Sequence, residues 1–197
     1  MKAYLTPFLA YALSGPIVNY FLDNPYIAYA VRTFLTGILI FIFWKEYKLK
    51  FKADFLSFFT GILIFFIWIS FSANNSLLGD EHYAASDLLL LSVKLIGFLL
   101  IAPLIEELFV RSFLIRFMIS KDWKKVPIGK FTWISFIITA LVFGLSHNLW
   151  LSGILTGILL NLLLYKRKSI ESCIFAHFTA NFILAIYILA TSSWFLW

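Results

Sequence analysis

Cysteine is almost missing: Cys173 is the only one in 197 residues. No disulfide can form within the chain, which excludes a stapled extracellular module. Charge is scarce as well. Asp, Glu, Lys and Arg make up 13% of the residues against 62% hydrophobic ones, whereas ordinary soluble domains carry about 25% charged residues. That balance excludes a water-soluble globular domain. There are three histidines, His82, His147 and His177, and no HExxH pair of the kind that holds zinc on one helix face. Alternating strand-like segments, low-complexity tracts and internal repeats are also lacking. What remains is long apolar runs with a mean hydropathy of +0.92. They predict an all-α polytopic transmembrane helix bundle forming a single membrane domain over residues 1–197.

The net charge of +6 does not call for a nucleic-acid partner. The basic residues lie in short clusters between apolar runs, where the positive-inside rule expects them, so the partner they imply is the lipid bilayer.

The runs give about seven spans, or eight if one is broken or interfacial. Leu5 to Leu22 is the first, interrupted by Gly15-Pro16 and followed by the turn-forming Asp23-Asn24-Pro25. It reads as a span rather than a cleaved signal peptide, because it is long and leads straight into another span. Ile27 to Trp44 is the second, closed by Lys45, Lys48, Lys50 and Lys52 on the expected cytoplasmic side. Phe55 to Phe71 is the third. The segment Ser72 to Asp87 has no Lys or Arg and reads as an outer loop, with Glu81-His82 a solvated pair and Ser86 a cap for the next helix. Leu88 to Met118 is the fourth, long enough to be tilted, kinked at Pro103 or continued into the interface. Phe131 to about His147, Leu151 to Tyr165 and Ile170 to the C-terminus complete the set. Alternation puts the N-terminus inside and the C-terminus outside, in a plasma or inner membrane. Gly153 and Gly157 form a GxxxG pair whose expected use is internal helix packing.

The fourth span contains PLIEELFVR, Pro103 to Arg111. Each uncompensated charge there costs at least about 2.5 kcal/mol on insertion scales, a cost that a lipid-facing helix has no reason to carry. Glu107 and Arg111 are four apart and suit an ion pair, which by itself is a structural role; Glu106 points about 100° away and is left unexplained. Pro103 frees the carbonyl of Leu99 and opens local room for water. Phe143 lies four before His147, so its ring can sit beside the imidazole, and His177 and Asn181 repeat that spacing as a donor-rich face. A lone histidine in an apolar helix is commonly a hydrogen-bonded core residue. Two of them with a carboxylate pair and an asparagine on three spans point instead to a site.

Depth is a check on that grouping. At 1.5 Å per residue, Glu106 lies about 15 Å from Arg116 and His177 about 14 Å from Lys168, but His147 lies about 26 Å from Lys130. The first two agree. The third requires a fifth helix that starts below the hydrocarbon, near Pro127–Gly129, or that tilts strongly.

EELFVR at Glu106–Arg111, FGLSH at Phe143–His147 and HFTAN at His177–Asn181 resemble the EExxxR, FxxxH and HxxxN motifs of the CPBP family of intramembrane proteases, which includes CAAX prenyl endopeptidases and bacteriocin-processing or immunity proteins. The resemblance covers roughly residues 88–190, the motif-bearing core; the first three helices carry no part of it. It implies Glu106 as general base on a water, His147 holding and polarising that water, and His177 and Asn181 facing the developing oxyanion. Glu107, Arg111 and Phe143 become supporting residues. It implies a membrane-associated protein or peptide as substrate and no cofactor. The alternative is zinc or another divalent metal on Glu106, His147 and His177, a ligand set that zinc accepts. The rival of another class is a non-catalytic scaffold, immunity or transport protein using the same polar cluster for packing or ligand binding.

Overall fold

The computed structural model describes residues 1–50, 53–72 and 87–196. The Glu81-His82 pair and the Ser86 cap lie outside the described residues. Among those residues the chain is all helix, without strands, and forms seven helices: α1 Lys2–Leu22, α2 Pro25–Tyr47, α3 Phe55–Ser72, α4 Leu88–Ile119, α5 Trp133–Leu145, α6 Trp150–Arg167 and α7 Ile170–Thr191. Five of them, α1, α2, α3, α4 and α7, are long and apolar enough to cross a membrane. α5 has 13 residues, and the 18 residues of α6 include the buried polar side chains Ser152, Thr156 and Asn161 and end on Lys166-Arg167.

Helix starts follow from local chemistry. Asn24 accepts from the backbone N–H groups of Tyr26 and Ile27, with Pro25 in the first helical turn, so the predicted Asp23-Asn24-Pro25 turn also launches α2. Asp87 does the same for α4 through Leu89 and Leu90, Thr132 for α5 and Ser169 for α7. Asp54 accepts from the Ser57 N–H at 3.1 Å and its hydroxyl at 2.7 Å as α3 begins. The expected interruption at Gly15-Pro16 does not occur, and α1 runs through both Pro7 and Pro16.

α4 is one 32-residue stretch of about 48 Å, longer than the roughly 30 Å hydrocarbon layer. Two π-helical turns, Gly97–Ile101 and Leu108–Leu114, flank the α-helical turn Ala102–Glu107. The first closes with the Ala102 N–H donating to the Gly97 carbonyl, so the chain meets Pro103, which has no N–H to give, with a widened turn.

The described chain clusters into two compact units, Met1–Leu49 with Ala84–Phe109, and Lys50–Tyr83 with Val110–Trp197. In the first, α1 packs along α2, and the Leu88–Phe109 part of α4 packs on both. Tyr47 donates to the Ala3 carbonyl at 2.7 Å and its ring meets Tyr4 edge-on, closing one end of the pair. Phe8 stacks on Phe109 at 3.6 Å between ring centroids.

In the second unit α3 lies against α6 and α7, and α5 against α6. A Cβ on Gly61 would come 2.5 Å from the Ala176 carbonyl, so α3 and α7 touch backbone to backbone there. Gly153 and Gly157 face Gly144 and Ala140 of α5 at similarly short range, which makes the GxxxG pair an internal packing surface. At one end of this unit Arg167 pairs with Asp54 at 3.5 Å, Ser172 donates to Asp54 at 3.1 Å, and the Lys50 N–H donates to Glu171 at 2.9 Å. These bonds tie the start of α3 to the α6–α7 turn.

Candidate active site

Glu106 and Glu107 occupy the single α turn between the two π turns of α4. Glu107 is fully buried and Glu106 part-buried. π turns recur at functional sites because they re-aim side chains that a regular helix would place elsewhere. Within its own unit Glu106 meets two residues that the motif analysis did not single out. The Tyr11 hydroxyl is hydrogen-bonded to both Glu106 and Arg32, and the Arg32 guanidinium lies over the Tyr11 ring at 3.8 Å. A guanidinium only donates and a carboxylate accepts. The order is therefore Arg32 N–H to the Tyr11 oxygen, and the Tyr11 O–H to Glu106.

The second unit gathers three motif residues, Arg111, His147 and His177, around one ring. Phe143 is buried, with the fully buried Arg111 guanidinium carbon 4.3 Å above it. Arg111 also donates to the Gly157 carbonyl at 3.3 Å. The His147 ring lies 4.8 Å from Phe143 and the buried His177 ring 5.8 Å from it, edge-on. Trp68 of α3 meets His147 edge-on at 5.6 Å, and its indole N–H is anchored on Thr156 at 3.1 Å. Asn181 follows His177 by one turn of α7 and is part-exposed.

His147 is not on the helix that the sequence predicts for it. α5 stops at Leu145, where Ser146 caps it, and His147 sits in the turn toward α6, its N–H closing on the Gly144 carbonyl at 3.1 Å. Ser, His and Asn in succession favour local side-chain bonds over helix continuation. The Phe143–His147 neighbourhood is nevertheless kept, because His147 Nδ1 lies 2.6 Å from the Phe143 carbonyl oxygen. The Ser146 hydroxyl is 3.2 Å from the same nitrogen. Since a carbonyl only accepts, Nδ1 carries the hydrogen, and the lone pair of the neutral ring falls on Nε2.

Within the second unit the levels of the two histidines can be compared directly. The 13 residues of α5 span only about 20 Å, and Phe143, near its end, touches both imidazoles. His147 and His177 are thus at one level of the same unit.

Three residues, Arg32, Tyr11 and Trp68, lie outside the sequence motifs, and one had a readable signal. Arg32 is a cation within the otherwise apolar Pro25–Tyr47 stretch, and the insertion-cost argument that singled out PLIEELFVR applies to it equally. Tyr11 and Trp68 had none, since aromatic side chains are common throughout this chain. As for metal, among the described residues no three His, Cys, Asp or Glu side chains come together as a ligand set.

Comparison with curated proteins and with solved structures gives no significant match. Comparison with protein families does: residues 88–183 match the family described as Type II CAAX prenyl endopeptidase Rce1-like. The matched segment contains Glu106, Glu107, Arg111, Phe143, His147, His177 and Asn181. Over that segment, this membrane-helix chain is similar to the Rce1-like family.

Proposed function

We propose that the protein is an intramembrane endopeptidase that hydrolyses a peptide bond of a membrane-associated protein or peptide. In this reading Glu106 takes a proton from a water, whose oxygen attacks the scissile carbonyl carbon. His147 holds that water through Nε2. His177 and Asn181 donate to the carbonyl oxygen as it becomes negative, and the departing amine takes the proton back as the C–N bond breaks. Arg111 supports this from behind: its guanidinium over Phe143 helps fix the ring that both imidazoles contact. The observation that carries the reading is that all three motifs, in order, lie inside the family-matched segment, with His147 held in the tautomer that leaves Nε2 able to accept.

The family description points to a prenylated CAAX protein as substrate class. Orientation follows from the basic clusters. Lys45, Lys48 and Lys50 precede α3, and Lys166, Arg167 and Lys168 precede α7. The Asp54–Arg167 and Lys50–Glu171 bonds hold these two turns together at one end. We place that end, with the N-terminus, in the cytoplasm and the C-terminus across a plasma or inner membrane. The mechanism is glutamic, with no metal.

The test compares peptide termini in membranes from cells carrying the wild type and Glu106→Gln. Loss of one set of new termini, with protein abundance unchanged, is the expected result. Equal termini and reduced abundance would instead mean that the polar cluster serves packing, as a scaffold or transport reading requires.

A further inference from the structure

The first helical pair lies outside the family-matched segment, yet it delivers two side chains to the segment's central carboxylate. We propose that Tyr11 and Arg32 form a positioning clamp for Glu106, which gives α1 and α2 a direct part in the reaction; the inference rests on the reading of Glu106 as the base. Three independent features support it. The hydrogen-bond order runs from Arg32 through the Tyr11 hydroxyl to Glu106. The guanidinium is seated over the Tyr11 ring at 3.8 Å and reaches the Tyr29 ring at 5.6 Å, two cation–π supports that hold a charge away from water. The register is fixed separately, since Phe8 stacks on Phe109 with rings 7° from parallel. Tyr11 is three residues after Phe8, and Glu106 is three residues before Phe109. Antiparallel helices step equally in opposite directions, so the stack that aligns Phe8 with Phe109 brings Tyr11 level with Glu106.

Room for the clamp is built in. A Cβ on Gly15, one turn beyond Tyr11, would lie 3.3 Å from the Cδ of Arg32, so the glycine leaves a channel for the arginine stem. The consequence is chemical as well as steric. A base on a helix between two π turns has rotational freedom unless something holds it. A hydroxyl polarised by a guanidinium fixes one carboxylate oxygen and leaves the carboxylate oriented for proton transfer. Tyr11 and Arg32 touch neither water nor substrate in this scheme, and they act only through Glu106.

The experiment uses the full chain reconstituted in liposomes, with two readouts. Infrared difference spectra between wild type and Glu106→Gln identify the Glu106 carboxylate band; Tyr11→Phe, which removes only the hydroxyl, is expected to shift it. With a farnesylated peptide ending in a CAAX sequence as probe, Tyr11→Phe is expected to lower kcat about tenfold or more with KM within about twofold. Arg32→Lys, which keeps the charge, is expected to recover part of what Arg32→Met loses. Thermal unfolding of each variant reports folding, and should Tyr11→Phe fail to fold, the Arg32 pair carries both readouts. An unmoved Glu106 band in a folded variant overturns the clamp whatever happens to turnover, as does a raised KM with unchanged kcat. Cleavage that survives Glu106→Gln overturns the base reading instead, and the band shift still decides the contact.

Discussion

His147 Nδ1 lies 2.6 Å from the carbonyl oxygen of Phe143, although the helix carrying Phe143 ends at Leu145, before the histidine. The bond does what helical spacing was expected to do and adds something that spacing does not supply, a fixed tautomer. Backbone rather than a side chain selects it, so the Nε2 lone pair is directed by the turn itself. His147→Ala should therefore lower kcat by about 10²- to 10⁴-fold, the range for loss of a positioned proton-handling group. The thermal midpoint should hold, because the residue is part-exposed and lies in a turn. Cleavage rates and unfolding of the reconstituted variant measure both. A variant that unfolds early but retains turnover would place His147 in packing.

Arg111 presents a different expectation. It is fully buried, its guanidinium carbon lies 4.3 Å from the Phe143 ring centroid, and it donates to the Gly157 carbonyl. Lysine keeps the charge but has neither the planar face nor the fork of donors. Arg111→Lys should destabilise the protein by about 1–2 kcal/mol, the scale of a desolvated cation–π contact. Turnover should fall too, as the ring beneath His147 and His177 loses its support. Thermal unfolding in one detergent checks the first part. An unchanged midpoint would show that the charge alone matters.

Asp54 sits outside the spans and gives a pH test. Partial burial opposes its ionisation, but hydrogen bonds from the Ser57 hydroxyl and N–H and from Ser172, together with the Arg167 charge, hold its carboxyl below the ordinary 3.8. A carboxyl depressed in the folded state contributes stability above its unfolded value, and that stability is lost as pH falls through the folded value. Asp54→Asn should thus lower the thermal midpoint at neutral pH. Its disadvantage should shrink as pH falls from about 4 toward 2, because the wild type then loses the same bonds. Midpoints of both proteins across that range decide it; parallel curves would mean that Asp54 is not ionised when folded.

The sequence made the class of fold and the three motif segments legible, since apolar runs and costly intramembrane charges are visible residue by residue. It did not show how α4 bends its register. Regular 100° steps were assumed through Leu108–Leu114, where the chain forms a π turn, because no residue type marks such a turn. The end of α5 was misplaced for a related reason: Ser146, His147 and Asn148 favour a turn, but the FxxxH spacing suggested continuing helix. The span count depends on α5 and α6, whose shortness and buried polar residues reflect packing against protein. Arg32 was readable by the cost argument; its partnership with Tyr11 required the register that the Phe8–Phe109 stack imposes.

Metal dependence offers the last test, and His147 makes it a sharp one. A ring whose Nδ1–H meets a backbone carbonyl and whose lone pair is on Nε2 also has the tautomer of many metal-ligating histidines. Zinc, however, would need three protein ligands, Glu106, His147 and His177, converging on one point in addition to water. A carboxylate base needs only a water within reach and donors for the oxyanion. Dialysis of the purified protein against a strong chelator should therefore leave turnover of the farnesylated probe within about twofold, and leave the thermal midpoint unchanged, because nothing that holds the fold or activates the water is removed. Turnover that disappears with an unchanged midpoint, and returns with one divalent metal but not with others, would mean that Glu106 and the two histidines converge on an ion in the working enzyme and that the glutamic mechanism is wrong.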